Sequence, residues 1–236
     1  MSSLYSDPSF SRGTTLLNGE VIEYSSGSTY SDQVPVAGAE IVGQVKVFQD
    51  INPVTKDRYS NELVYCVAAR FKPASATTVL NSNNTGADKG KAYVLRMASG
   101  DTNTLSTAEF TSLASAADSV AGERVGFLDE YLNSEVRAND IVWLVIKGPV
   151  NAAKATGAAA NAGSPVALPV ANAASLGLVR AVTSIVPVAT TNSENAVVGQ
   201  AIGTVNATTG VQTLAANAAS GDTTVRVLLN GINWGV

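Results

Sequence analysis

Four carboxylates fall close together in the middle of the chain: Glu123, Asp129, Glu130 and Glu135. A cluster of this kind could hold a divalent cation, which takes oxygen ligands from several side chains. No spacing among them matches a known ligand loop, so the expectation is a solvated acidic face. Paired carboxylates could also serve a glycosidase. Such an enzyme would set aromatic sugar platforms beside its acids, whereas Trp143 sits in an apolar run and Trp234 in the C-terminal tail.

Other chemistry is poorly provided for. The chain has no histidine, which removes the commonest general base and the usual activator of a Ser or Cys nucleophile. There is no Gly-x-Ser-x-Gly elbow and no Gly-rich phosphate cradle after a strand. The one cysteine, Cys66, lies in Leu-Val-Tyr-Cys-Val-Ala-Ala. That strand pattern predicts a small buried filler rather than a reactive thiol. The expectation is a protein that is not an enzyme, with no catalytic residues, no cofactor and no metal.

Composition points the same way. Of 236 residues, 14% are charged and 6% aromatic, while 45% are apolar, much of that Ala and Val. An average domain carries about 25% charged residues. So weak a surface charge suggests a surface covered by other protein, or else a compact sandwich coated with Thr, Ser and Asn. The net charge is −4 with scattered basic residues, unlike a nucleic-acid binder, which clusters Lys and Arg. The N-terminus lacks a basic region followed by an apolar one, and no apolar run is long enough to span a bilayer. Neither a signal peptide nor a membrane partner is expected.

The element that organises the chain is the apolar run Ile141–Ile146, between an Asn139-Asp140 turn signal and a Lys147-Gly148-Pro149 stop. Short, β-branched and unbroken, it predicts a strand buried on both faces. Before it, strands are expected in Val34–Gln49, Glu62–Lys72, Thr77–Leu80 and Lys91–Met97. Gly43–Phe48 alternates polar and apolar residues, which predicts one wet face. Asp50–Arg58 and the polar Asn81–Gly90 read as loops. Ser106 and Glu109 fit a capping box, Leu105 and Phe110 a hydrophobic staple, and Phe110, Leu113 and Ala117 a helical face. A helix is therefore expected near 106–118, with a second short helix or turn around Phe127–Leu132.

After the organising run, Val150–Ser175 is rich in Ala, Gly and Pro and predicts turns and short edge strands. Leu178–Val188, Val197–Val205 and Thr223–Leu229 follow as regularly spaced strands. Residues 1–33 read as an extended polar arm in which Thr14–Tyr24 looks ordered, its Asn18-Gly19 pair being a hairpin signal. Leu4, Tyr5, Phe10, Tyr24 and Tyr30 are its candidate partner contacts.

The fold expected is mainly β: an antiparallel sandwich or barrel with one or two short helices and an extended N-terminal arm. The expected divisions are the arm (1–33), a β-rich domain (34–136) and a small β domain (137–236).

Over roughly residues 138–230 the chain resembles the small β domains of tailed-bacteriophage capsid decoration, or cement, proteins. The resemblance rests on Asn139-Asp-Ile-Val-Trp-Leu-Val-Ile-Lys-Gly148, then Leu178-Val-Arg-Ala-Val-Thr, Val198-Gly-Gln-Ala-Ile-Gly-Thr-Val and a closing Val225-Arg-Val-Leu-Leu. It implies a virion protein on the outer capsid surface, made in the host cytoplasm. Its partners would be the major capsid protein and further copies of itself, commonly as a trimer. Two other readings stay open: a head-fibre, tail or adhesin module that binds host glycans, and a shell-forming capsid subunit.

Overall fold

The computed structural model describes residues 12–13, 15–16, 41–73, 75, 77–82, 87–97, 108–115, 123–155, 159–168, 176–181, 197–205, 212–214, 219 and 222–231. Every regular element among them is a strand. In chain order these are β1 (Val45–Ile51), β2 (Arg58–Phe71), β3 (Leu80–Asn81), β4 (Ala92–Met97), β5 (Ala108–Leu113), β6 (Arg124–Leu128) and β7 (Glu135–Val136). Then follow β8 (Ile141–Ala153), β9 (Pro165–Ala167), β10 (Arg180–Ala181), β11 (Val197–Val205), β12 (Gln212–Leu214) and β13 (Thr224–Leu229).

Eleven strands join one sheet, in the order β1-β2-β5-β4-β6-β8-β13-β11-β9-β10 with β12 beside β11, while β3 and β7 pair separately. The sheet is mixed, not purely antiparallel as expected, because β2 and β5 run parallel. Their connection is long enough for such a crossover and contains β3 and β4. β2 also pairs directly with β8, so β2, β5, β4, β6 and β8 form a closed circuit of hydrogen-bonded neighbours.

β8 is buried on both faces, as its apolar run predicts. Ile141, Trp143 and Val145 enter one core with Val64, Cys66 and Ala68 of β2. Val142, Leu144 and Ile146 enter a second core with Val67, Ala69 and Phe71 of β2, Tyr93 and Leu95 of β4, and Phe110 of β5. Each large apolar side chain buried this way stabilises the fold by roughly 1.5–3 kcal/mol relative to exposure. Trp143 packs edge-to-face on Phe48 at 5.5 Å, and Cys66 is fully buried, as its apolar neighbours predict.

Three expectations change. The capping-box segment contains β5, a strand, where a helix was predicted. Phe110 decides this: its ring packs on Phe71 at 5.2 Å and on Tyr93 at 5.3 Å, contacts between strands that outweigh local helix signals. Phe127 and Leu128 end a strand, β6, and the short helix or turn expected around Phe127–Leu132 is a turn at Glu130 and Tyr131. Lys147-Gly148-Pro149 does not stop β8, which runs on to Ala153 against β13. Gly148 adopts φ 93°, and a side chain there would overlap the Leu63 carbonyl of β2. Glycine thus lets β8 pass close to β2 where its partner changes from β2 to β13. Finally, β9 is not an edge strand, since β11 and β10 flank it.

β8 pairs with β2 and β6 on the N-terminal side of the expected boundary at 137, and with β13 on the other side. The expected arm also reaches the body. Leu16 is buried, and its N–H donates to the Ile141 carbonyl at 2.8 Å.

Candidate functional site

Two of the four clustered carboxylates, Asp129 and Glu130, are buried and not part of a solvated face. Asp129 and Glu130 follow β6 in a turn closed by Leu132 N–H donating to the Asp129 carbonyl at 3.1 Å. Their residues are only 1% and 7% exposed. Arg12 reaches them from the N-terminal segment. It donates from Nε and Nη2 to Asp129 Oδ1 at 3.2 and 3.0 Å, and from Nη2 to Glu130 Oε2 at 2.6 Å. Gly13 N–H donates to Asp129 Oδ2 at 2.6 Å. The guanidinium also lies 4.8 Å over the Tyr131 ring. Gly13 has φ 83° and sits against the Tyr131 backbone, where a side chain would crowd. Thr15 and Ser134 hydroxyls meet at 3.1 Å. Together these contacts clasp the N-terminal segment to the body.

A second guanidinium completes the cluster. Arg226 of β13 is fully buried. It stands opposite Asn151 of β8 in the ladder and donates from Nη1 to Asn151 Oδ1 at 3.0 Å. Its Nη2 pairs with Asp50 Oδ1 of β1. Ser60 donates to the other Asp50 oxygen at 2.7 Å. Arg226 Nη1 lies 3.9 Å from Glu130 Oε1. Three carboxylates (Asp50, Asp129, Glu130) thus face two guanidiniums, leaving one negative charge in excess.

Burial leads the protonation pattern, and the neighbouring charges modify it. Burial raises Glu130 above the usual carboxylate range and outweighs the pull of Arg12, with Asp129 adding to the rise. Burial alone would lower Arg12, but Glu130 and Asp129 reverse this and raise it. Burial lowers Lys89, opposed by Asp129 and Glu130, and raises the Cys66 thiol, which keeps it in its unreactive form.

Between the ordinary Glu value of about 4.3 and the higher folded one, the native state holds a proton that the unfolded chain has released. The Glu130 contribution is therefore fully present below about pH 4.3 and is lost as pH rises through the folded value. Glu130→Gln is expected to flatten this slope, so the melting temperature of the variant gains on wild type from acid to neutral pH. Melts across a pH series check it. A constant difference would place the proton elsewhere.

The cluster ties the chain internally: its carboxylates pair with guanidiniums and are shut from solvent. Among the described residues no three His, Cys, Asp or Glu side chains are placed to hold a metal. Glu135 is exposed and pairs at the surface with Arg137 at 3.3 Å, and Glu123 is half-buried. Leu4, Tyr5, Phe10, Tyr24 and Tyr30 lie outside the described residues.

The second feature is β1. Phe48 and Asp50 take the inner face, against Trp143 and Arg226. That parity turns the valines outward: Val45 is 46% and Val47 45% exposed, beside Leu63 of β2 at 46%. The wet face of this alternating strand is the apolar one, the reverse of what a polar-out pattern would give. Sequence reading missed Arg12, Asp50 and Arg226 as a set. The legible trace was Arg226, a lone charge within Val225-Arg-Val-Leu-Leu.

No protein-family model, curated protein or solved structure matches the chain.

Proposed function

We propose that the chain is a structural virion protein that decorates and stabilises a phage capsid by bridging major capsid protein subunits. One observation carries the reading: a body tied internally by buried ion pairs turns valines and a leucine outward on β1 and β2. A face of that chemistry suits adhesion to protein, since apolar area removed from water drives association. The stretch that resembles decoration proteins supplies β8 to β13, and Arg226 and Asn151 tie two of these strands to β1. The closed circuit of β2, β5, β4, β6 and β8 is read as a small barrel. Many identical lattice sites would convert modest contacts into lasting attachment.

Co-sedimentation with expanded empty phage heads tests this. Saturable binding that raises the heat resistance of the heads is expected. No binding to heads, with a positive signal on a glycan array, would favour the adhesin reading. Unaided assembly into shells would favour a capsid subunit.

A further inference from the structure

We propose that the outer edge of β1, which no described strand pairs with, is a docking site for β1 of a second copy of this chain, in antiparallel register about a two-fold axis at Val47. Ala68 N–H donates to the Gln44 carbonyl at 2.9 Å, and the ladder pairs Lys46 with Cys66 and Phe48 with Val64. Hydrogen-bonded and non-bonded pairs alternate in an antiparallel ladder. Val45, Val47 and Gln49 therefore direct their N–H and C=O groups away from β2. No described strand pairs with that side, and β1 ends the sheet order. An open row of backbone groups is a template for another strand.

The side chains fit a second copy in this register. Val47 meets Val47, and Val45 meets Gln49, with no charge on that face. On the other face Lys46 stands opposite Phe48, the pairing of cation and ring that Lys46 already makes within its own strand at 5.6 Å. A parallel in-register pairing would instead set Lys46 on Lys46, and like charges directly opposed destabilise a sheet. An inward Lys is a common guard of an edge. Here the ammonium lies over the Phe48 ring of its own strand. The exposed apolar strip of Val45, Val47 and Leu63 would double in length across the join. The inference is independent of capsid binding.

Val47 is half-exposed, so Val47→Lys and Val47→Glu leave the cores untouched, which thermal melts verify. Light scattering across a concentration series is expected to show a wild-type dimer. Each charged variant should weaken dimerisation at least about tenfold by opposing like charges at the axis. Mixing the two should restore a one-to-one heterodimer. Amide exchange at Val45 and Val47 should slow as wild-type concentration rises. A wild type that stays monomeric throughout, or an oligomer indifferent to both substitutions, would overturn the proposal.

Discussion

Replacing Arg226 with Leu is expected to lower the unfolding free energy by roughly 3–5 kcal/mol, the usual cost of leaving a buried charge without its partner. Arg226 and Asp50 are both fully buried, so water cannot take over the lost contact. The substitution also raises the excess in the cluster from one carboxylate to two. Adding Asp50→Leu brings the excess back to one and removes the stranded charge. The double variant should recover most of the loss, since replacing a whole buried pair by apolar groups is often neutral. Urea titration of the wild type, both single variants and the double variant measures this. A loss below about 1 kcal/mol for Arg226→Leu would match a surface pair and would mean that the cluster is hydrated.

Deleting residues 1–33 is expected to be comparably damaging. The arm reading predicts a body that folds as before, but Arg12 is the guanidinium that Asp129 and Glu130 share. Its removal strands two buried carboxylates at roughly 3–5 kcal/mol, and losing the buried Leu16 adds about 1.5–3 kcal/mol. Combining the deletion with Asp129→Asn and Glu130→Gln should return the electrostatic part and not the Leu16 part. Circular dichroism melts of the full chain, the truncation and the compensated truncation check it. A truncation as stable as the full chain would show the clasp to be incidental.

Much of this architecture could be read from residue patterns. The two-faced burial of Ile141–Ile146 followed from an unbroken apolar run, and Val197–Val205 was located with its observed ends. Buried Cys66 followed from its apolar neighbours. What local pattern could not supply were contacts between distant segments. Phe110 looks helical until Phe71 and Tyr93 are beside it. Gly148 reads as a terminator until Leu63 is seen to need the space. Arg12 and Asp129 are 117 positions apart, so nothing near either one announces the other. The outward turn of Val45 and Val47 was hidden for the same reason: Phe48 and Asp50 chose the inner face, and their partners lie on β8 and β13.

Successive side chains of β8 feed alternate cores, and this has a consequence for how the chain avoids misfolding. In most sheets a slip of one residue exchanges a dry face for a wet one. Here the slip would push Trp143 into the space shaped for Leu144 and draw Leu144 into the space shaped for Trp143. The mistake would be penalised on both sides of the strand at once. A run that is apolar at every position from Ile141 to Ile146, and so gives alignment no polar cue there, is kept in place by the unequal sizes of its own neighbours.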